Sequence, residues 1–355
     1  MAEALVTPKD LGIPEMIPLP KRKDWRIGIV GFGGVARGGH APAYREAGWT
    51  MAAAADTNLQ ALTAARAEFG IVRTYGDYRD LIADESVEVI DLLTQPIVRE
   101  EVIRAAAAAG KPIITEKPFA QTAEECVRMV DAAGRAGIAL AVHQNYRWMK
   151  MNFYAHHIVR QGLIGEPFYA SIEIQGTQDV HLATHPFYAT CDNFLTIQWN
   201  NHLTDLLRYW TGRDAIRVLA RTGRMNGQNF RSDNLLLSIA DFGEGLTGHI
   251  VHSELLRSDL GGVQCRVDGS KGSIVFDFHD ALRIESSEVG KGVHRLAAPT
   301  STWGGSFAGS MGDFLIALEE GHEPQVSGRR NLATIRTILA EDRSVRAGGI
   351  WMPCE

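Results

Sequence analysis

The stretch "WRIGIVGFGGVARGGH", residues 25–40, narrows the possible folds more than any other part of the chain. A short apolar run ends in a Gly-rich turn, and the turn opens a helix that Gly48 closes. Gly31-x-Gly33-x-x-Ala36 has the spacing of a dinucleotide-binding turn. Gly31 permits the tight bend, Gly33 lets the backbone approach a pyrophosphate, and Ala36 is small enough for helix and strand to pack closely. The helix start offers unpaired N–H groups and a positive dipole end to phosphates. The next strand, "TMAAAAD", ends at Asp56, where an acid is placed to take ribose hydroxyls. Asp56 would repel a 2′-phosphate, and the following Thr57 and Asn58 supply no cation. NAD is therefore expected in preference to NADP.

Strands and helices keep alternating: "TNLQALTAARAEFG" and "REEVIRAAAAAG" read as helices, "VEVIDLLT" and "PIITEKP" as strands. Such alternation predicts an α/β doubly wound parallel sheet. After about residue 146 the rhythm changes to longer alternating runs such as "FYASIEIQG", "NLLLSIAD" and "GSIVFDF", joined by short Gly- and Asp-containing turns. These predict an α+β domain with a large open, mostly antiparallel sheet. The expected division is an N-terminal arm over 1–24, a dinucleotide-binding domain over 25–145 and a substrate-binding and oligomerisation domain over 146–355.

A chain of 355 residues suits two domains with ample cores. The net charge of −6 disfavours nucleic acid or an anionic membrane as the main partner. No run approaches the roughly 18 apolar residues that span a bilayer, and the N-terminus lacks an apolar signal core. The four cysteines lie far apart without C-x-x-C spacing. Neither a disulfide framework nor a zinc knuckle is expected, and a cytoplasmic location is the default.

Lys117 follows another strand of the parallel sheet, and ligands of such sheets bind beyond the strand C-termini. It is expected to hydrogen-bond a reacting hydroxyl and stabilise charge developing on oxygen. In "TIQWNNHLTD", helical spacing puts Gln198, His202, Asp205 and Tyr209 on one stripe, and Trp199, Leu203, Leu206 and Trp210 on another. The apolar stripe is the natural core face, and the polar stripe is expected to line a cleft. His202 suits proton transfer because imidazole ordinarily titrates near about pH 6.5; the alternative is a histidine hydrogen-bonded between domains. Gln198 can fix a substrate hydroxyl or orient His202. Asn145 and Arg147 of "NYRW" are expected at the inter-domain hinge, where Arg147 could hold an acidic group or form an ion pair. His181 and His185 have i, i+4 spacing, but the following Pro186 weakens a helix and no third ligand is evident, so no metal is expected. His185 and Tyr188 read instead as parts of a substrate loop. His156 and His157 read as a helix surface.

Taken together, "GFGGVARGGHAPA", Asp56, "GKPIITEKPFA", "NYRW", "GLIGEP", "HLTDLLRYWTG", "VDGSKGSIVF", "FLIALEEGHEP" and "RSVRAG" resemble the Gfo/Idh/MocA oxidoreductases, the glucose–fructose oxidoreductase and inositol dehydrogenase family. The resemblance implies a Rossmann domain followed by an open-sheet α/β domain, and NAD(P)-dependent oxidation of sugars, polyols or their derivatives. Its glutamate-lysine-proline motif falls on Glu116, Lys117 and Pro118. The expected cofactor site takes in Gly31, Phe32, Gly33, Gly34, Val35, Ala36, Asp56, Thr94, Glu116 and Lys117. The expected substrate site takes in Asn145, Arg147, His185, Tyr188, Gln198 and His202, with Lys117 and His202 as the catalytic pair. Two departures stand out. Many members carry Asp-x-x-x-His where this chain has Gln198 and His202, and many have a histidine near the fourth strand where this chain offers Arg99. The leading expectation is an NAD-dependent dehydrogenase acting on a sugar, cyclitol or sugar acid, assembled as a homodimer or homotetramer. A redox-assisted glycosidase or oxidoisomerase with recycled NAD, using Tyr188 or His185 as a further base, is an alternative. A non-catalytic NAD-dependent sugar sensor is another.

Overall fold

A computed structural model describes residues 3–177, 189–279, 281–297 and 303–355. The chain forms two compact units, one of Pro18–Trp148 with Thr302–Ile335, the other of Met1–Ile17, Met149–Ser301 and Arg336–Glu355. Among the described residues, no helix is long and apolar enough to cross a membrane.

The first unit carries a six-stranded sheet in the order Arg73–Tyr75, Thr50–Ala55, Arg26–Val30, Val89–Leu92, Ile113–Thr115, Leu140–Val142. Every pairing in it is parallel. Its central strands read as nearly unbroken apolar runs because helices cover both faces. Ile27, Ile29, Val89, Ile90, Leu92, Ile113 and Ile114 are all fully buried, each contributing about 1.5–3 kcal/mol of burial. Strand order reverses on either side of Arg26–Val30, which puts the Gly-rich turn at the switch point where such sheets bind ligands. The helix Leu59–Phe69 is capped by Asn58, whose Oδ1 accepts the Gln60 N–H, and ends on left-handed Gly70. The helix Ala123–Ala136 is capped by Thr122.

The second unit carries a ten-stranded sheet in the order Ala4–Val6, Gly290–Leu296, Leu282–Ser286, Gly272–Phe276, Gly262–Gly269, Pro167–Gln175, Thr247–Ser253, Leu235–Asp241, Arg217–Gly223, Met352–Pro353. Two pairings are parallel, Ala4–Val6 with Gly290–Leu296 and Pro167–Gln175 with Thr247–Ser253; the rest are antiparallel. Burial alternates along Leu235–Asp241 and Leu282–Ser286, as half-buried strands require.

The chain divides differently from the expected 1–24, 25–145 and 146–355. Residues 4–6 are no free arm but an edge strand of the larger sheet. The backbone N–H groups of Lys21 and Arg22 donate to the Glu319 carboxylate within the first unit. The helix Trp303–Glu320 also belongs to that unit, and Gly309 approaches Trp148 so closely that a Cβ would lie 2.5 Å from its ring. A helix that returns late in sequence leaves no local signal of which core it will join.

Candidate active site

In the first unit, Gly31 adopts φ of +91°, and a Cβ there would lie 3.0 Å from the Leu93 carbonyl carbon. Glycine is required on both counts. A Cβ added at Gly33 or Gly34 meets nothing within 4 Å, so the turn faces open space. Val35 begins the helix without a side-chain cap, leaving its first amides free of that competitor, and Ala36 is fully buried. Phe32 is buried, its ring edge-on to Phe69 at 5.6 Å, so only its backbone can face a ligand. The Phe32 N–H donates to Asp56 Oδ2 at 2.7 Å, and the Asn58 N–H donates to Oδ1 at 2.8 Å. The Thr94 hydroxyl is buried with no hydrogen-bond partner among the described residues. An open Gly turn, an uncapped helix start, a fixed carboxylate and an orphan hydroxyl fit a dinucleotide: phosphates on the turn, ribose on Asp56.

Glu116 and Lys117 follow the strand Ile113–Thr115. Glu116 is buried, and its Oε2 accepts the Lys117 backbone N–H at 3.0 Å. The Lys117 side chain is partly buried, and that burial, helped by the nearby Arg99 charge and opposed by Glu116, lowers its pKa. A lysine with a depressed pKa beside a ligand crevice is suited to proton exchange at a hydroxyl.

Behind Glu116 lies a buried polar cluster that the sequence reading missed. His40 Nε2 is 2.9 Å from Glu116 Oε1, and His40 Nδ1 is 3.0 Å from the Tyr44 hydroxyl and 3.2 Å from Asp91 Oδ2. Tyr44 donates to Asp91 Oδ2 at 2.7 Å. His143 Nε2 meets Asp91 Oδ1 at 2.9 Å, and its Nδ1 meets Ser310 Oγ at 3.0 Å. Burial alone would lower the His40 pKa, but Asp91 and Glu116 outweigh it and push it up to about 9. Burial works against ionised Glu116, yet the His40 hydrogen bond and charge hold it down to about 2. Asp91 is likewise held low against its burial by His40 and His143. Burial lowers His143. Ligating atoms of His40, Asp91 and His143 lie within 4.8 Å of one another, near enough for one small cation. The His143–Asp91 hydrogen bond and the close His40–Asp91 ion pair account for that proximity. The signal was legible: Asp91 interrupts the otherwise apolar "VIDL", and a carboxylate in a buried strand needs partners.

Arg99 is a buried staple. Its Nε and Nη2 donate to the Thr94 carbonyl at 3.1 and 2.7 Å, and Nη1 donates to the Pro118 carbonyl. Burial, opposed by Glu116, pushes its pKa down to about 10. Asn145 donates to Ser306 Oγ and Arg147 to the Gln325 carbonyl at 3.2 Å, so both make scaffold contacts of the first unit, in the last residues before its boundary at Trp148.

In the second unit, Gln198 lies in a π-helical segment, Phe194–Trp199, that runs into the helix Asn200–Thr211. All twelve residues of that helix are buried, His202 at 4% exposure. The expected polar stripe is therefore not an open face. Asp205 pairs with Arg208 at 3.5 Å, and Tyr209 stacks on His156 at 3.9 Å. His156 and His157 are half-buried, not a bare helix surface. His252 and Glu254, at the end of the strand Thr247–Ser253, form a buried pair at 2.8 Å with the His252 ring 5.8 Å from Trp199. His181, His185 and Tyr188 lie outside the described residues.

Residues 25–144 match the model of the oxidoreductase family with an NAD-binding Rossmann fold, and residues 154–275 match the GFO/IDH/MocA C-terminal domain. The chain is 28% identical over 338 residues to a D-apiose dehydrogenase of Paraburkholderia graminis, covering 92% of this chain and 89% of that one. A D-apiose dehydrogenase of Rhizobium rhizogenes is 26% identical over 309 residues, covering 84% and 88%. The fold is that of an oxidoreductase from Agrobacterium radiobacter solved with NAD+, L-tartaric acid and magnesium, with a TM-score of 0.87, 24% identity and coverage of 93% and 98%. The chain thus belongs to the Gfo/Idh/MocA family of NAD-binding oxidoreductases.

Proposed function

We propose that the chain is an NAD-dependent dehydrogenase that oxidises a secondary hydroxyl of a small sugar, cyclitol or sugar acid. The observation that carries this reading is Lys117, with a lowered pKa, held by Glu116 at the C-terminal edge of the parallel sheet. The Gly31–Ala36 turn would hold the pyrophosphate, Asp56 the ribose hydroxyls, and Thr94 a neighbouring polar group. When bound, NAD supplies a hydride acceptor. Lys117 orients the substrate hydroxyl and stabilises charge on its oxygen as the proton leaves. His202 is the second proton carrier we propose, with Gln198 as a hydrogen-bonding side chain for the substrate. Resemblance to two D-apiose dehydrogenases over 92% and 84% of this chain makes a branched or furanose sugar the first choice among substrates.

The test is a panel of pentoses, hexoses, cyclitols and sugar acids, followed by the absorbance of reduced nicotinamide. Net reduction of added NAD with at least one sugar supports the proposal. Turnover without net reduction would replace it with recycled-NAD chemistry, and sugar binding without turnover would replace it with a sensor.

A further inference from the structure

The buried cluster behind Glu116 has a geometry that reaches the catalytic edge. We propose that His40 is a positioning residue for Lys117: by holding Glu116 Oε1, it fixes the carboxylate so that Oε2 stays on the Lys117 backbone N–H. The proposal rests on the reading of Lys117 as the group that meets the substrate hydroxyl.

Both carboxylate oxygens of Glu116 are engaged, one by His40 at 2.9 Å and the other by the Lys117 amide at 3.0 Å. A carboxylate held at two points cannot rotate without breaking a charge-assisted hydrogen bond in a buried site. His40 is itself held from behind. Its second nitrogen meets Tyr44 and Asp91, and Asp91 is locked in turn by Tyr44 and by His143, which leans on Ser310. The His40 ring is fully buried and packs on Phe307 at 4.5 Å and edge-on to His143 at the same distance.

Local sequence explains how a histidine reaches this place. Residues Ala36–His40 form a π-helical turn, which widens the helix by one residue at its start. Gly39 has no Cβ, and one would lie 2.7 Å from the Phe307 ring. The "GGH" end of the turn therefore serves close packing, and His40 is the side chain it delivers inward. The ionisable groups around His40 are Asp91 on its strand, Glu116 beyond the next strand, Tyr44 one turn on and His143. Lys117 and Arg99 act on Glu116 and on each other from beyond it.

The chemistry gives a signature that packing alone would not. Burial pushes Glu116 toward its neutral form, and His40 is the main group opposing that. In His40→Gln, Glu116 should titrate at mildly acidic pH instead of far below it. A neutral Glu116 would bond the Lys117 amide more weakly. Three proteins are compared as full chains: wild type, His40→Gln and His40→Gln/Glu116→Gln. Infrared spectra at mildly acidic pH should show a protonated carboxylic acid in His40→Gln that the double variant lacks. Glu341, which is also buried, contributes equally to both and cancels. Turnover of His40→Gln should fall between about tenfold and a hundredfold, the scale of a misplaced catalytic group. NAD affinity should stay within about twofold because the Gly turn and Asp56 are untouched. The pH profile of kcat/KM should gain an acid inflection that disappears in the double variant.

An identical infrared spectrum in His40→Gln and the double variant would overturn the proposal. If His40→Gln does not fold, wild type against Glu116→Gln decides. A protonated Glu116 in the wild type at mildly acidic pH would then refute the coupling, and its absence would support it. Lys117→Met separates the two readings. If that variant turns over like wild type, the dehydrogenase role of Lys117 fails while the infrared result still judges the His40–Glu116 coupling.

Discussion

The carboxylate of Asp56 accepts the backbone N–H of Phe32 at 2.7 Å, joining the end of the second parallel strand to the first residue after Gly31. With the Asn58 N–H on its other oxygen, the carboxylate is fixed rather than free to swing away from a ligand. A fixed negative charge at the ribose site should weaken binding of a 2′-phosphate by about tenfold or more relative to NAD. Titrations followed by tryptophan fluorescence check this. Asp56→Ala should narrow the gap, and tighter binding of NADP by the unaltered protein would refute the assignment.

Lys117→Met should leave the thermal transition and NAD affinity nearly unchanged while lowering kcat about a hundredfold or more, the scale of losing one oxyanion-type donor. Stopped-flow and steady-state rates on the sugar found active in the panel provide the measurement. Near-normal turnover would remove Lys117 from the chemistry.

The parallel sheet, its Gly-rich turn and the acid after the second strand were legible because each is local: an apolar run, a turn with fixed spacing, one residue at a strand end. Lys117 was legible for the same reason. His40, Tyr44, Asp91 and His143 were not assembled from sequence, since His40 and His143 lie more than a hundred residues apart and the four meet only when the sheet stacks its strands. Asp91 in "VIDL" was the visible clue. Arg99 occupies the place of an expected histidine but turns inward to two backbone carbonyls, an orientation that no periodicity reveals. On the Asn200–Thr211 helix, 3.6-residue spacing identified real stripes but not that both would be buried. The π-helical turns before it also shift Gln198 out of simple α-helical register with His202.

Arg99→Met should be costly for stability and informative for pH. It removes the buried donors to the Thr94 and Pro118 carbonyls, a loss on the order of 3 kcal/mol in urea unfolding. It also removes a positive charge that lowers the Lys117 pKa. A kcat/KM inflection that arises from Lys117 should then move alkaline, because its ammonium form is no longer disfavoured by that neighbour. An unmoved or acid-shifted inflection would contradict the assignment.

Glu341 lies buried in the second unit, where Ser238 and Asn200 donate to its carboxyl oxygens. Burial, opposed by those two donors, raises its pKa to about 7. The folded protein thus holds this proton more tightly than the unfolded chain. Stability from this group is fully present below the unfolded pKa and is lost as pH rises through the folded one. Glu341→Gln should therefore stabilise the protein at about pH 8, by up to about 3 kcal/mol. The gain should shrink toward zero as pH falls below the ordinary glutamate range. Thermal unfolding of both proteins across that range tests it, and a pH-independent difference would rule out the buried carboxyl as the cause.

His202 is the most demanding case, because its helix is buried on every side and Asp205 is engaged with Arg208. If His202 carries a proton in the reaction, kcat/KM should titrate in the neutral range and His202→Asn should abolish both the inflection and most of the rate. Gln198 has no proton to lose in that range, so Gln198→Ala should keep the inflection and mainly raise KM, as expected for a hydrogen bond made equally in ground and transition states. Gln198→Asp restores the Asp-x-x-x-His spacing and introduces a negative charge four residues before His202. That charge favours imidazolium, so the inflection should move alkaline. Packing predicts a different pattern. His202→Asn would then lower the melting temperature, leave the inflection in place, and lose no more rate than the lost fraction of folded protein explains. The Gln198→Asp profile would also coincide with that of the unaltered protein. Measuring melting temperature and pH profile on the same preparations separates a proton carrier from a buried polar side chain.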